Sequence, residues 1–172
     1  MAQEVSNIAQ VRALTTPAKA YLWEFIVPQV PAAAGAVAEA LTFRARATSF
    51  PGRGVGEIIT NFKGHKIKHP GRNNFTQTIN VTFEEGMNGV VIQALRNWFN
   101  AWLDEKDGSS QGESAVKVDS FVRILNHDQS VVLQGHIYGF FIQSMPDIAL
   151  DYSQDALLQV QATFGFDYWE LE

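Results

Sequence analysis

Cysteine is absent from the chain, and long apolar runs are absent as well. Without cysteine there is neither a disulfide framework nor a thiolate site, which suits a reducing compartment. No stretch approaches the roughly 20 apolar residues of a membrane-spanning helix. The opening stretch, "MAQEVSNIAQVR", lacks the basic run and apolar block of a secretory signal. We therefore expect a protein made in the cytoplasm, without membrane insertion.

Charged residues are also few, at 18% of the chain, and they are unevenly placed. The net charge is −5, yet the segment between Glu57 and Glu84 contains only basic charges and carries +4, so that the rest carries −9. Its four cations are Lys63, Lys66, Lys68 and Arg72. A basic segment beside an acidic remainder fits nucleic-acid binding or the docking of one copy on another. The acidity of the whole chain favours docking.

Recognisable catalytic and metal-binding patterns are missing. The glycine-rich "GRGVG" is not followed by a helix pattern, which argues against a phosphate-binding loop. His65 and His69 lie on a predicted hairpin, where their spacing covers about 13 Å, too far for a shared metal. The aspartates of the 147–155 region show no sign of converging for acid–base chemistry. We predict no enzymatic activity, no cofactor and no metal site.

Alternating apolar and polar residues predict a mainly β protein of about eight strands in one domain, 1–172. The predicted strands cover 20–27, 41–50, a hairpin within 57–69 turning at Lys63-Gly64, 76–83, 116–124, 131–141, 148–152 and 157–168. An N-terminal arm is expected at 1–18, and variable loops at 28–41 and 104–115.

One segment changes to helical periodicity. The run "GVVIQALRNWFNAWL" places Val91, Ala94, Leu95, Trp98 and Trp102 on one face. We predict a single helix there, with Asn88 as its N-cap. Val91, Leu95, Trp98 and Trp102 are predicted to anchor that helix on the sheet.

The final strand, "LLQVQATFGFDYWELE", alternates almost to its end. Its even positions, Leu158 to Tyr168, are predicted to face the core, whereas Gln159, Gln161, Thr163 and Asp167 face water or a neighbouring subunit. Because this strand has few edge-protecting charges, we expect another copy to cover its edge.

Two sets of residues are therefore candidates for subunit interfaces. In the basic hairpin they are Lys63, Lys66, Lys68 and Arg72; at the chain end they are Asp167, Trp169 and Glu170.

Four stretches carry a family resemblance: "FRARATSFPGRGV", "IITNFKGHKIKHPGRNNFTQTINVTF", "ALRNWFNAW" and "LQVQATFGFDYWELE". Together and in this order, they resemble the inner tail tube protein of contractile-tailed bacteriophages. The terminal "DYW" of Asp167, Tyr168 and Trp169 is the most specific piece. The two variable loops, 28–41 and 104–115, fall where members of that family differ.

The resemblance implies a small β-barrel or sandwich with one flanking helix, joined into hexameric rings that stack into a tube. In that family the tube conducts DNA from capsid to host cell, a tape measure protein sets its length, a sheath surrounds it and a baseplate lies below. A virion tail component assembled in the host cytoplasm is expected, with DNA passing through the lumen without specific binding.

The sequence leaves three other functions open. A tube protein of a type VI secretion or extracellular contractile injection system would share this fold. A tail or baseplate adaptor would form a single ring without polymerising. A monomeric β-barrel ligand binder would need an apolar pocket with converging polar groups.

Overall fold

The computed structural model describes residues 16–35 and 37–172, so that most of the predicted N-terminal arm lies outside the described residues. Within the described ranges the chain forms nine strands, three α-helices and one 3₁₀ turn. The strands are β1 (Trp23–Ile26), β2 (Ala45–Thr48), β3 (Val55–Phe62), β4 (His65–Asn73), β5 (Thr78–Glu84), β6 (Val118–Leu125), β7 (Val131–Ser144), β8 (Gln159–Gly165) and β9 (Tyr168–Leu171). The helices are α1 (Ala38–Arg44), α2 (Val90–Trp102) and α3 (Glu113–Val116), and the 3₁₀ turn is Ala32–Ala34.

Seven strands form one antiparallel sheet in the order β1-β6-β7-β8-β5-β2, with β9 added beside β7. Phe25 of β1 packs on Phe83 of β5, with ring centroids 6.4 Å apart. These strands are far apart in the sheet order, so the two halves of the sheet face each other around one core. Among the described residues β1 and β2 do not pair with each other, and the sheet is not closed into a barrel as one of the predicted forms requires.

The long strand β7 passes from one half of the sheet to the other. Its first part pairs with β6 and β9, and its end pairs with β8. Gly139, with φ of +64°, interrupts the alternation: Gly135 and Ile137 are buried before it, Phe140 and Ile142 after it. The β8–β9 segment changes phase opposite this point, because Phe164 and Phe166 are buried whereas the next inward residue is Trp169.

Aromatic side chains dominate the core beneath α2. Trp98 is fully buried and lies 5.7 Å from Phe164 and 6.1 Å from Phe140 between ring centroids. Its Nε1 donates a hydrogen bond to the Val116 carbonyl at 2.9 Å. The predicted anchors Val91, Leu95 and Trp98 are confirmed as buried.

Two details of the α2 prediction are wrong. Trp102 is 39% exposed, because it lies in the last turn of the helix, beyond the part that covers the sheet. The N-terminus is capped by Glu85 rather than Asn88: the Glu85 carboxylate accepts hydrogen bonds from Val91 N at 3.2 Å and Ile92 N at 2.6 Å. A carboxylate there satisfies free backbone N–H groups and complements the helix dipole.

Other boundaries also differ from prediction. The predicted loop 28–41 contains the 3₁₀ turn and the start of α1, which continues to Arg44 where a strand was expected. Phe43, which lies in this helix, is 70% exposed. Glu39 in the first turn and Arg44 in the last complement the dipole of this short helix.

Two further segments differ from the predicted secondary structure. Residues 148–152 are not a strand; Asp151 accepts hydrogen bonds from the backbone and hydroxyl of Ser153, forming a local turn. The predicted loop 104–115 is irregular until its end, where α3 begins at Glu113.

Candidate assembly surfaces

The hairpin β3–β4 forms a separate two-stranded sheet, which confirms the predicted hairpin. Its turn is Lys63-Gly64, with φ values of +46° and +83°, flanked by the pair Phe62 and His65. Positive φ at both turn residues matches the right-handed twist of the strands, and glycine adopts it without strain. The four basic residues predicted to act together therefore lie on one projecting element.

The hairpin is exposed along nearly its whole length. Five of its large apolar side chains keep 45 to 65% of their surface in water. They are Val55, Ile58, Ile59, Phe62 and Ile67. A lone two-stranded hairpin is marginally stable in water, and an apolar surface of this kind marks an interaction site. The hairpin is therefore a candidate interaction surface.

The strand register divides the hairpin into two faces, because directly opposite residues share a face. The first, which we call the basic face, comprises Glu57, Ile59, Asn61, Lys66, Lys68 and Pro70. The second, the apolar face, comprises Ile58, Thr60, Phe62, His65, Ile67 and His69. Lys68 forms an ion pair with Glu57 at 2.6 Å. Within the described residues, Lys66 has no carboxylate partner.

The terminal strand is only partly covered within the subunit. β8 pairs with β5 over its whole length on one edge, but with β7 only over Thr163–Gly165 on the other. Among the described strands β9 pairs with β7 alone, so its second edge is not paired within the subunit. Where strands pair inside the fold, this pairing satisfies the same backbone groups that a neighbour would have satisfied. Val160, Ala162, Phe164 and Phe166 are buried as predicted, whereas Tyr168 is half exposed because the alternation changes phase before it.

The predicted interface residues of the chain end have mostly internal contacts. Asp167 forms an ion pair with Lys117, whose Nζ lies 3.0 Å from Oδ1. Trp169 packs edge-on against Phe50 at 5.6 Å, and the Arg53 guanidinium lies 4.8 Å from the Trp169 ring centroid. Glu170 is exposed. Their participation in an interface remains a prediction.

A stack of four rings covers the outer face of β6, β7 and β9. Phe121, His136, Tyr138 and Tyr168 follow one another at centroid distances of 4.3, 3.8 and 4.5 Å. The surroundings are acidic: partial burial, and then the Glu170 carboxylate, raise the pKa of the Tyr138 phenol. This face therefore combines aromatic surface with negative charge.

The outer face of β5 and β8 has a different character. It is formed by uncharged polar side chains: Thr78, Asn80, Thr82, Gln159, Gln161 and Thr163. The Thr163 hydroxyl donates to Asn80 Oδ1 at 2.7 Å. At one end Glu84 pairs with Arg46 at 2.6 Å, and the hydrogen bond from Arg46 lowers the pKa of the Glu84 carboxyl. The prediction that the odd β8 residues face outward is confirmed.

A cavity of about 350 Å³ lies between the end of α2, α3 and β8. Its apolar wall includes Trp102 and Phe141. Its charged residues bind one another, because Lys117 pairs with both Glu113 and Asp167. The hydrogen bonds that Lys117 donates, first to Asp167 and then to Glu113, raise the pKa of its ammonium group. These three charged side chains therefore partly neutralise one another within the fold.

The described part of the chain contains neither a metal-binding cluster nor a membrane-spanning helix. No group of three or more potential metal ligands occurs there. None of the helices in residues 16–35 and 37–172 combines the length and hydrophobicity needed to cross a membrane.

No protein-family model and no curated protein matches the sequence. Solved structures do share its fold. The anti-feeding prophage cap, described as a tube terminating cap, aligns with a TM-score of 0.67 at 17% identity over 93% of each chain. A chain of the sheath-tube complex of an extracellular contractile injection system aligns with a TM-score of 0.67 at 14% identity, over 98% of this chain and 99% of that one.

A third structure is the six-fold symmetrised baseplate of the anti-feeding prophage, with a TM-score of 0.59 at 11% identity. It covers 92% of this chain and 97% of the matched chain. The fold is thus shared over nearly the full length with chains of tube, cap and baseplate assemblies. The resemblance seen in the sequence is confirmed at the level of the fold.

Proposed function

We propose that this chain is a structural subunit that polymerises into the tube of a contractile injection particle. The observation that carries the proposal is the β3–β4 hairpin, whose apolar side chains are exposed on both faces of an isolated two-stranded sheet. Such a surface is stabilised when a second subunit covers it. The shared fold with chains of tube and cap assemblies supports the same role. The role is structural and non-catalytic.

The proposed assembly is a hexameric ring, with rings stacked into a tube. The tail-tube resemblance motivates six copies, and the six-fold baseplate structure that shares the fold agrees with that number. Contacts between different surfaces of identical subunits close into a ring when the rotation closes, and grow into a filament when it does not. The basic hairpin is the proposed contact between subunits, with Lys63, Lys66, Lys68 and Arg72 facing acidic surface.

The uncharged polar face of β5 and β8 is the proposed wall of the lumen. DNA carries a dense row of phosphates that basic side chains retain through salt-dependent contacts. A wall of Thr, Asn and Gln side chains gives water-filled passage without such retention. In its finer form the proposal is a phage tail tube that conducts DNA, surrounded by a sheath, attached to a baseplate, and enclosing a tape measure protein.

Two related roles are alternatives. The first is the tube of an extracellular or type VI injection system, in which the same subunit conducts a different cargo. The second is a single ring that ends a tube. One observation supports this second role: the cap structure matches the fold of this chain as well as the sheath-tube structure does, with equal TM-scores.

Negative-stain microscopy and sedimentation of the full-length protein test the proposal. At high protein concentration we expect tubes that pellet. Isolated rings would favour the cap role, and a monomer at every concentration would refute self-assembly. Phe62→Ser, in the apolar face of the hairpin, should reduce assembly without changing the circular dichroism spectrum. Met87→Ser, at an exposed residue before α2, is the matched control and should assemble like the unaltered protein.

A further inference from the structure

The proposed function does not specify which acidic surface of a neighbouring copy contacts the basic face of the hairpin. Six carboxylates of the described chain are already used in an ion pair with lysine or arginine or as a helix cap. Ion pairs occupy Glu57, Glu84, Glu105, Glu113 and Asp167, and Glu85 caps α2. A surface suited to a second copy must offer carboxylates that are not used in this way.

Residues 145–158, which we call the acidic segment, meet this requirement. They connect β7 to β8 without a helix or strand. Asp147, Asp151 and Asp155 lie in it, and lysine and arginine are absent from it. Within the described residues none of the three forms an ion pair, and the Asp151 carboxylate accepts hydrogen bonds from the backbone and hydroxyl of Ser153.

The same segment exposes large apolar side chains beside its carboxylates. Leu150 is 80% exposed, Leu157 is 72% exposed, and Tyr152 is fully exposed. The hairpin has the matching composition: beside the exposed Ile59, its basic face carries Lys66, which has no carboxylate partner among the described residues, and Lys68, whose ion pair with Glu57 is exposed. Opposite charges select the partner and orientation, while burial of the neighbouring apolar groups adds affinity.

Other acidic regions match the hairpin less well. The loop with Asp104 and Asp107 contains its own cation, Lys106. On the outer face of β6 and β7, Asp119 and Glu172 each lie 3.6 Å from a nitrogen of His136. The acidic segment is thus distinguished by three carboxylates without a local cation.

We propose that the basic face of the hairpin in one copy docks on the acidic segment of a neighbouring copy. Lys66 and Lys68 face Asp151 and Asp155, and Ile59 packs among Leu150 and Leu157. The inference rests on the proposed function, because its occupant is a second copy of this chain. It assigns an acceptor that the proposed function leaves unnamed.

Charge exchange tests the assignment. Lys66→Glu/Lys68→Glu and Asp151→Lys/Asp155→Lys should each raise the concentration needed for half of the protein to pellet about tenfold. A chain carrying all four substitutions should recover most of the lost assembly. Asp104→Lys/Asp107→Lys is the matched control, and it should neither assemble poorly alone nor rescue the hairpin variant.

Disulfide trapping gives a second readout that does not depend on charge-reversed variants folding normally. The chain has no native cysteine, so Lys66→Cys and Asp151→Cys can be introduced singly into separate preparations. Oxidation of the mixture under assembly conditions should give a covalent dimer. Mixing Lys66→Cys with Asp104→Cys should not.

The outcomes separate the two proposals. If the unaltered protein forms tubes but the fourfold variant assembles no better than the hairpin variant, and no specific dimer is trapped, the acceptor is wrong and the tube proposal stands. If the unaltered protein never assembles, the tube proposal fails, and this inference fails with it.

Discussion

Lys117 and Asp167 join two parts of the fold that are 50 residues apart in the chain, with Nζ 3.0 Å from Oδ1 and 3.2 Å from Oδ2. Asp167 follows Phe166 at the point where the β8–β9 segment changes phase. Its carboxylate lies where a side chain at Gly139 would project. The bend in β7 and the bend in the terminal segment are therefore one structural unit, held by Lys117.

Asp167→Asn should weaken this unit. The substitution keeps the side-chain size but removes the charge, and because the pair is partly exposed we expect a loss of only about 0.5–1 kcal/mol. The melting temperature should fall by about 1–4 °C. Hydrogen exchange of the Tyr168–Leu171 amides should increase more than exchange in β5. Equal exchange in both strands would contradict a local role.

The pH dependence of the pair has a definite sign. The hydrogen bonds that Lys117 donates to Asp167, and then to Glu113, raise the pKa of Lys117 above its unfolded value. The resulting stabilisation is present below about pH 10.4 and is lost as the pH rises through the raised pKa. Between pH 9 and 12 the unaltered protein should therefore lose its stability advantage over Lys117→Met, measured by urea unfolding.

Gly139→Ala should be strongly destabilising. Its φ of +64° disfavours other residues, and the added Cβ would overlap the Asp167 carboxylate. We expect a loss of more than about 2 kcal/mol. Gly64→Ala is the control, since Gly64 also has positive φ but has nothing within 4 Å of an added Cβ; it should lose about 1 kcal/mol. Combining Gly139→Ala with Asp167→Gly should recover part of the difference.

Trp98→Ala and Trp102→Ala form a matched pair on one helix. Trp98 is fully buried and donates a hydrogen bond to Val116, so its truncation should cost about 3–5 kcal/mol and reduce soluble expression. Trp102 is 39% exposed, and its truncation should cost about 1 kcal/mol or less. Chemical denaturation measures both. Similar losses in the two variants would contradict the burial difference.

Deletion of residues 167–172 tests whether the chain end serves the fold or assembly. From the sequence alone the truncated subunit is expected to survive as a monomer. The contacts of Trp169 with Phe50 and of Asp167 with Lys117 indicate that folding also suffers. We expect a lower melting temperature together with loss of pelleting tubes. Full stability with lost assembly would assign the end to an interface alone.

Local patterns predicted much of the fold. The hairpin was recognisable because Lys63-Gly64 is a strong turn signal between β-prone runs, and α2 because its apolar residues recur at helical spacing. The burial of Val91 and Trp98 followed from that spacing. In each case the sequence-local rule and the tertiary environment favour the same conformation.

The errors have tertiary causes. The alternation around Phe43 resembled a strand, but seven residues are too few to distinguish the two periods, and packing beside β1 decides for α1. Tyr168 was placed in the core because a phase change at Gly139 cannot be read from the distant terminal segment. The coverage of β8 by β5 and β7 likewise depends on strand order, which local alternation does not specify.

The division of the hairpin's basic and apolar side chains between its two faces was only partly predictable. The excess of basic residues in the hairpin was evident from counting, but the division of Ile59 and Ile67 between opposite faces depends on the register. The aspartates of the acidic segment are visible in the sequence, which shows no sign that they converge on a catalytic site. The exposure of Leu150 and Tyr152 beside them depends on the absence of a strand from this segment, which local alternation does not reveal.

The isolated hairpin also has a kinetic consequence. In a free subunit β3 and β4 are held only by their own pairing, because no third strand joins them. Such a hairpin is marginally stable in water, so we expect docking to restrict its motion as well as to join two copies, and this ordering makes the first contacts the least favourable. A subunit that adds to an existing end meets a surface that is already ordered. Growth should therefore show a lag and a critical concentration, and preformed ends should abolish the lag, which would place the start of polymerisation under the control of a template.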